Sequence, residues 1–476
     1  MTVLALNLVM LYVFSMNIEA VKVAPQGTTP IKLLPGKAIK FVETTSGQEL
    51  QFGYGDKKTL PRRKVVLLAR KIIICAKQNK LDTISIDWKE WRKVAEKISD
   101  AELGEQLAVA FLMANFEYTT YKSKPKEGFV EVKDVYVVGA PSPAKKGIER
   151  GEMIGMEVNA CRSLSNTPGG DMTPEKLARS AEKAVGGTKA SCRVLGVSEM
   201  EQLGMGAILG VGQGSANEPK FIVLEYWGAG KTAKKKPIVF AGKGVTFDSG
   251  GLNIKTGDHM YEMHLDMSAG AAVIHAVVLA AKLKVKRNIV GLIPAVENML
   301  GDNAVRPGDI LKSMSGKTIE VINTDAEGRV ILADALTYAK RYNPSLVVEA
   351  STLTGASLTT FGLYASAVLS KDERLMQKMR DLGEKAGDYV WPLPLWDEYD
   401  YMVEGNFGDV PNIPLQGNSR YAGVIGGGKF LEQFADGYPF VHLDIAPRMT
   451  SAPGDNLAKG AVGAPLRLFL AIAENL

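Results

Sequence analysis

Asn-Thr-Asp-Ala-Glu-Gly-Arg, at positions 323–329, places two carboxylates and one guanidinium within seven residues. The apolar run before it, 318–322, predicts a strand, and the periodic apolar run after it, 330–342, predicts a helix. In open α/β sheets, ligands bind at the carboxyl ends of strands, where the next helix presents its N-terminus. The same pattern also fits an ordinary helix start with Thr324 or Asp325 as the cap. The rest of the chain must decide between a site and a cap.

Length and composition indicate a soluble globular protein of two or three domains. The chain has 476 residues, of which 46% are hydrophobic and 23% charged. Its net charge of +5 is too small at this length to indicate nucleic-acid binding. The three cysteines, Cys75, Cys161 and Cys192, are widely spaced and form no Cys-x-x-Cys pair. Such cysteines are typical of a reducing compartment, so we expect a cytoplasmic protein.

The apolar N-terminal stretch, residues 3–14, fits either a signal peptide or a buried strand. It has no basic residue before the apolar run, its cleavage pattern is weak, and it is too short to span a bilayer. We therefore favour a strand. No other stretch approaches the roughly 20 uninterrupted apolar residues of a spanning helix, so no membrane association is expected.

Strand-like and helix-like runs alternate along the chain, which predicts an α/β fold. The strand-like runs lie at 39–42, 83–86, 130–138, 237–241, 288–296, 318–322 and 346–349. The segment 139–147 is rich in Pro and Gly and is interpreted as a linker. We predict a small N-terminal α/β domain, 1–145. A larger α/β domain, 146–476, would contain a central, largely parallel sheet flanked by helices.

A glycine-rich segment at 204–214 has the outline of a dinucleotide-binding loop. Such a loop requires a helix after it, whereas the run at 221–226 predicts another strand. We interpret these glycines as tight turns and close backbone packing.

Four acidic residues follow three successive strand-like elements of the second domain: Asp248, Asp266, Asp325 and Glu327. The carboxyl ends of parallel strands meet at one edge of a sheet, so these side chains are expected to converge. Converging carboxylates repel one another unless cations lie between them. Because the chain has only four histidines, oxygen atoms must supply most ligands. The pattern predicts two divalent cations, Mn²⁺, Zn²⁺ or Mg²⁺, that activate a water for hydrolysis.

Three basic residues accompany these acids. Lys243 precedes Asp248 by five residues and is expected to act as a nearby cation or, if deprotonated, as a metal ligand. Lys255 could stabilise an oxyanion, and Arg329 could hold an anion through two hydrogen bonds. Each residue taken alone also fits a cap, a turn or a solvated side chain. Their joint appearance at successive strand ends favours a site.

Ordered motifs across about 155–470 carry a resemblance to a known family. Positions 323–329 match its signature NTDAEGR, and 242–251 resembles its GKG-TFDSGG segment. Further matches are Asn-Thr-Pro at 166–168, Val-Gly-Gln-Gly-Ser at 211–215, Ser-Thr-Leu-Thr-Gly-Ala at 351–356 and His-Leu-Asp-Ile-Ala at 442–446. The family is that of the leucyl aminopeptidases, the cytosol aminopeptidases, which the first 145 residues resemble only in general pattern.

The resemblance implies a metal-dependent aminopeptidase whose larger domain holds two divalent cations per subunit. By position, Asp248 and Glu327 would bridge the cations. Lys243 and Asp266 would complete the tighter site, and Asp325 the more exchangeable one.

The resemblance also implies how substrate is handled. Lys255 would bind the substrate carbonyl or the oxyanion. Arg329 would hold a bicarbonate ion that acts as general base. The free α-amino group of a peptide would ligate a metal, so substrates would be peptides with a free N-terminus, shortened one residue at a time. Family members are typically homohexamers, so the resemblance makes domain 1–145 a candidate for oligomerisation contacts and 146–476 the catalytic domain.

In the family a side-chain pocket lies near Met263, Thr352, Leu353 and Gly355, which are apolar or small here and consistent with Leu or Met. This chain departs from the family at three positions. It has His264 where Lys or Arg is usual, Ala269 where Gly is usual, and Ala464 where Arg is common. None of the three replaces an expected ligand, so they bear on pocket shape and rate.

Two alternatives belong to other classes. A hexameric binding or architectural relative could bind DNA, although the small net charge and the lack of a basic arm do not indicate this. A two-metal phosphoesterase would draw on more histidine ligands and phosphate-binding arginines than this chain offers. Cleavage of an unblocked amino-acid anilide would separate the peptidase from both.

Overall fold

The computed structural model describes residues 16–45, 47–415 and 421–476. They form two units, and each is described here by itself. The first runs to Ser163 and takes in Pro453–Lys459; the second comprises Leu164–Ala452 and Gly460–Leu476. The stretch 3–14, predicted to be a strand, lies outside the described residues.

The first unit is built on a six-stranded sheet in the order β1-β6-β5-β2-β4-β3, in which only the β3 and β4 pair is antiparallel. Its strands are β1 (Asn17–Val21), β2 (Thr29–Leu34), β3 (Ile39–Thr44), β4 (Gly47–Gly53), β5 (Thr83–Asp87) and β6 (Asp134–Val138). Its helices are α1 (Arg62–Gln78), α2 (Trp88–Val94), α3 (Asp100–Asn115) and α4 (Ser142–Ser165), the last ending just past the unit's boundary.

Local sequence explains where some of these helices begin. Ser99 and Glu102 form a reciprocal capping box at the start of α3. The predicted linker at 139–147 is wrong from Ser142 onward, because α4 begins there. A proline at the second helical position, Pro143, is compatible with a helix start, so it does not indicate irregular chain here.

The second unit contains the other twelve strands and nine helices of the described chain. The strands are β7 (Ala190–Leu195), β8 (Lys220–Trp227), β9 (Ile238–Gly242), β10 (Gly244–Asp248), β11 (Asn288–Asn298), β12 (Ile310–Lys312), β13 (Thr318–Glu320), β14 (Leu346–Ser351), β15 (Ser366–Leu369), β16 (Val390–Pro392), β17 (Val410–Pro411) and β18 (Phe440–Asp444). The helices are α5 (Pro174–Val185), α6 (Val197–Gln202), α7 (Gly206–Gly212), α8 (Ser268–Lys282), α9 (Glu327–Ala339), α10 (Gly355–Phe361), α11 (Glu373–Ala386), α12 (Gly423–Glu432) and α13 (Leu466–Asn475).

A nine-stranded sheet forms the centre of this unit, in the order β16-β15-β18-β14-β9-β11-β8-β7, with β10 also paired to β11. The strands β18, β14, β9, β11 and β10 run parallel to one another, as do β15 and β16, whereas antiparallel pairs occur at β15 with β18, β11 with β8 and β8 with β7. All eleven residues of β11 are buried, as expected of a strand covered on both faces. The prediction of a central, largely parallel sheet flanked by helices is confirmed.

One detail of that prediction is wrong. The strand before positions 323–329, β13, does not belong to the central sheet but to a small sheet in the order β12-β13-β17. The acids of the predicted site therefore do not all follow strands of one sheet. They converge because the small sheet delivers its segment to the carboxyl edge of the large one.

Two other segments qualify the sequence interpretation. The glycine-rich stretch at 204–214 contains a helix, α7, which was not anticipated, although its glycines do allow close packing: a Cβ on Gly206 would lie 2.3 Å from the Lys312 carbonyl oxygen. Strand β8 follows, as expected. In the described chain one stretch, Gly257–Lys282, is long and apolar enough to cross a membrane, but most of it is buried in the protein, as in a core helix.

Candidate metal centre

The backbone of Lys243 is fixed where β9 leads into β10. Its N–H donates to the Ala350 carbonyl of β14, and its carbonyl accepts from Gly270 N–H in α8. A Cβ on Gly242 would lie 2.7 Å from the Ala269 carbonyl oxygen, so only glycine lets the helix approach this closely. The lysine side chain is thereby directed from the sheet edge into the cluster of acids.

Lys243 lies between two buried carboxylates. Its Nζ is 2.7 Å from Asp266 Oδ2 and 2.8 Å from Glu327 Oε1, and it donates to the Thr352 carbonyl at 3.2 Å. A Cβ on Gly328 would lie 2.6 Å from Nζ. The glycine after Glu327 is therefore required for the lysine to reach this position.

Lys255 lies between the other two carboxylates. Its Nζ is 2.8 Å from Asp248 Oδ2 and 2.5 Å from Asp325 Oδ1. Asp248 also accepts hydrogen bonds through Oδ1 from Gly250 N–H and from Asn298 Nδ2. Gly250 has a φ of +88°, which an L-residue rarely adopts, and this turn folds the loop back so that Lys255 meets the acids.

The segment 323–329 begins with a capped turn. Asn323 Oδ1 accepts from Asp325 N–H at 2.8 Å, and a single 3₁₀ turn then leads into α9 at Glu327. The cap is Asn323, so the suggestion of Thr324 or Asp325 as cap is wrong. Thr324 Oγ1 donates instead to the Gly250 carbonyl, which ties this segment to the loop after β10.

The predicted ligands come together in space. Oxygen atoms of Asp248, Asp325 and Glu327 all lie within 4.8 Å of one another. Asp266 joins the group through Lys243, so all five predicted metal ligands and Lys255 meet in one cluster. Buried Glu327 Oε2 has no hydrogen-bond partner among the described residues. A buried carboxylate oxygen without a partner is costly, and a cation bound at it would remove that cost.

The pKa values of the cluster also indicate that a bound cation would stabilise it. Burial, together with the charge of Asp248, raises the pKa of Glu327 to about 8, and burial raises the pKa of Asp266 to about 6. Burial and Asp248 also raise the pKa of Asp325. Burial opposes a charge on Lys243, but Asp266, Glu327 and Asp248 outweigh it and hold its pKa above the ordinary value. The acids are crowded beyond what two ammonium groups compensate.

Arg329 lies in the first turn of α9 and is almost fully buried. Its Nη1 donates to the Asn412 carbonyl at 2.8 Å, while its Nε has no partner among the described residues. Burial lowers its pKa to about 10, against the opposing effect of Glu327 and Asp444. The guanidinium stays charged at neutral pH and retains a free donor.

Of the predicted pocket residues, Thr352 contacts the cluster directly. Thr352 Oγ1 donates to Asp266 Oδ1 at 2.5 Å, so this residue also orients an acid. Met263 packs against a small cluster that includes Met449. Leu353 N–H donates to Asp444 Oδ1, and a Cβ on Gly355 would meet open space.

The three departures from the family replace none of the predicted ligands. His264 is half-buried one residue after Met263, and burial lowers its pKa. Ala269 is buried in the first turn of α8, and Ala464 is buried before α13.

Sequence reasoning missed the buried polar residues that hold the site together. Asn298, at the end of β11, donates to both Asp248 and the Thr324 carbonyl. Asp444, at the end of β18, accepts from Leu353 N–H and Thr354 Oγ1. The available signal was their position, since both follow apolar strands whose carboxyl ends lie at the predicted edge.

Comparison with known proteins identifies the family of this chain. The model of the cytosol aminopeptidase family, catalytic domain, matches residues 159–470. A "Probable cytosol aminopeptidase" of Roseiflexus castenholzii is 44% identical over 365 residues, 75% of this chain and 74% of that protein. One of Syntrophotalea carbinolica is 41% identical over 374 residues, 77% of this chain and 74% of that protein.

A solved structure, bottromycin maturation enzyme BotP, is similar over 97% of this chain and 99% of its own, with a TM-score of 0.82 and 25% identity. The same enzyme in complex with Mn has a TM-score of 0.81. The likeness therefore extends over both units of the described chain, whereas the family model begins at residue 159. On these matches the chain belongs to the cytosol aminopeptidase family, and it is a metal-dependent hydrolase of the leucyl aminopeptidase type.

Proposed function

We propose that this protein uses two divalent metal ions to remove single N-terminal residues from peptides, with apolar residues such as Leu and Met preferred within a broad range. The observation that carries the proposal is the convergence of Asp248, Asp325 and Glu327 within 4.8 Å, beside Lys243 and Asp266. Carboxylate oxygens in this number suit Mn²⁺, Zn²⁺ or Mg²⁺. The unpartnered Glu327 Oε2 and the raised pKa values of the acids support such occupancy.

The family resemblance implies the ligand roles, and the contacts of these residues support them. Asp248 and Glu327 lie between the two lysines and would bridge the ions. Lys243 and Asp266 would complete the more buried site, and Asp325 the more accessible one. Lys243 can ligate only as a neutral amine, so loading of that site must release its proton.

The two ions, when bound, would polarise the scissile carbonyl and lower the pKa of a water. Lys255, freed from its carboxylates by the ions, would donate to the carbonyl oxygen and stabilise its developing charge. Arg329 would hold bicarbonate through its free donor, and that anion would accept the proton of the attacking water.

Substrate selection would depend on both ends of the first residue. Its free α-amino group would ligate a metal, which restricts cleavage to unblocked N-termini. Its side chain would lie near Met263, Thr352, Leu353 and Gly355, where apolar contacts and open space support an apolar preference.

The proposal extends to the localisation and the oligomeric state of the protein. We expect a cytoplasmic homohexamer, with residues 1–145 as a variable domain that contributes oligomer contacts and 146–476 as the dimetal domain. The family match and the curated relatives named above are aminopeptidases, and they give the DNA-binding alternative no support.

The test is hydrolysis by protein loaded with Mn²⁺ or Zn²⁺. Leucine-p-nitroanilide should be cleaved, whereas its N-acetylated form and a phosphate ester should not. Asp325→Ala and Glu327→Ala should each lower kcat by at least about a hundredfold, because each removes a metal ligand. Exposed Asp302→Ala and Glu201→Ala are matched controls that should retain activity. Activity that survives both ligand substitutions would refute the site, and cleavage of the acetylated substrate would refute anchoring by the amino group.

A further inference from the structure

The segment 406–412 is attached along its length to the strand that leads into the metal centre. Glu320 Oε2 accepts three backbone N–H groups, from 406, 407 and 408, at 3.0 to 3.3 Å. Asp409 Oδ2 accepts from both N–H and Oγ1 of Thr318, at 2.8 and 2.9 Å. β17 then pairs with β13 in parallel. This attachment brings Asn412 beneath the turn that carries the metal ligands.

The side chain of Asn412 holds both ends of that turn. Its Oδ1 accepts from Ile322 N–H at 2.8 Å and Asn323 N–H at 3.2 Å. Its Nδ2 donates to the Asn323 carbonyl at 2.6 Å, with a longer contact of 3.5 Å to the Ala326 carbonyl. The residue has no exposed surface. Asp325, which lies between these points, is therefore placed by a buried amide.

The backbone of the same residue holds Arg329. The Asn412 carbonyl accepts from Arg329 Nη1 at 2.8 Å, the single hydrogen bond of that guanidinium to the described chain. The Asn412 N–H donates to the Glu320 carbonyl, which fixes the position of the peptide. One residue thus sets where Asp325 and the guanidinium lie relative to each other.

We propose that Asn412 is a positioning residue of the metal centre, one that aligns Asp325 and Arg329 without touching metal or substrate. This inference rests on the proposed two-metal function, because the geometry of that metal centre would depend on Asn412. No other side chain of similar size replaces it. Aspartate would set an oxygen against the Asn323 carbonyl, and leucine would leave two buried N–H groups unpaired.

The test compares Asn412→Asp with Asp409→Ala in full-length protein. Both remove hydrogen bonds between the same two segments, but only the first acts at the turn. Titration calorimetry with Mn²⁺ should show that Asn412→Asp weakens the weaker of two binding constants roughly tenfold, as loss of an outer support does in metal sites. Steady-state kinetics should show kcat lowered by about tenfold or more with KM changed less than about twofold. Asp409→Ala should lower only thermal stability.

These results distinguish a positioning role of Asn412 in the metal centre from a general contribution to the stability of the fold. Wild-type Mn²⁺ affinity and kcat in Asn412→Asp would overturn the inference, and so would an equal loss of Mn²⁺ affinity in Asp409→Ala. If Asn412→Asp does not fold, Asn412→Ser, which adds no charge, is measured against the same criteria. Wild-type protein that binds Mn²⁺ without cleaving leucine-p-nitroanilide would refute the proposed function alone, because the calorimetry would still decide the role of Asn412.

Discussion

The two halves of the metal centre repeat one arrangement, a lysine between two carboxylates, in different surroundings. In the Lys243 half, the side chains of Lys243, Asp266 and Glu327 are 4%, 4% and 1% exposed. In the Lys255 half, Asp248 is also buried, at 2% exposed, but Lys255 is 14% and Asp325 33% exposed. The two halves contain the same kinds of side chain but differ in exposure to water. Their ion pairs should therefore contribute different free energies, because the strength of an ion pair and the penalty for breaking it both depend on access to water.

The difference suggests a division of labour between the halves. If the proposed two ions bind, the buried half would hold its ion tightly, since water cannot easily reach and replace the ligands. The half that is more open to water would exchange its ion and admit the substrate carbonyl and amino group. The following experiments are designed to separate the two halves, from the largest expected effect to the smallest.

Replacing each lysine should give the largest difference in protein stability between the two halves. In the presence of a chelator, Lys243→Met should lower the free energy of unfolding by about 3–5 kcal/mol, because two carboxylates are left buried without a cation. Lys255→Met should cost less, because water can solvate Asp325 and buried Asp248 keeps its hydrogen bonds from Gly250 and Asn298. Urea denaturation followed by fluorescence measures both. Methionine keeps the length and apolar stem of lysine, so packing is nearly matched.

Added Mn²⁺ supplies the control for this comparison. A divalent ion should restore part of the stability of Lys243→Met, because it replaces the missing positive charge beside Asp266 and Glu327. Equal losses for the two lysine variants in chelator would show that burial does not distinguish the halves.

Asp334 shows what burial does to a carboxyl that forms no ion pair within the described part of the chain. It lies in α9, two turns after Glu327, and accepts N–H groups from Ala207, Ile208 and Met314 at 2.7–3.0 Å. Burial nevertheless raises its pKa to about 7. The folded protein therefore holds this proton more tightly than the unfolded chain does. The resulting stability is fully present below about pH 4 and is lost as pH rises through about 7.

The expected size of this loss is about 2 kcal/mol between roughly pH 5.5 and 8.5. Asp334→Asn should remove that slope while lowering stability by a constant amount, since its amide cannot accept all three N–H groups. The measurement is the difference between wild-type and variant unfolding free energies across this range. A difference that does not change with pH would mean that Asp334 remains ionised, with its three donors outweighing burial.

Some residues of the candidate site could be predicted from sequence and others could not. Asp248, Asp266, Asp325 and Glu327 could be identified because acids at strand ends in an α/β pattern have an expected place. The sheet to which β13 belongs could not be predicted, because the sequence of a three-residue strand does not indicate which strand it pairs with. Asn412 could not be found either, since nothing near it in sequence tells which distant backbone groups a buried amide will meet.

Loss of a carboxylate from each half gives the finest test of their inequality. Asp325→Asn should weaken only the weaker of two Mn²⁺ binding constants, by at least about tenfold, and should leave one ion bound after dialysis. Asp266→Asn should weaken the stronger constant instead, because Asp266 is buried and oriented by Thr352. Calorimetry and metal content after timed dialysis measure this, with Asp302→Asn as an exposed control. If both variants weaken the same constant, the two ions are held as one unit by Asp248 and Glu327, and exposure of a single ligand does not set their exchange.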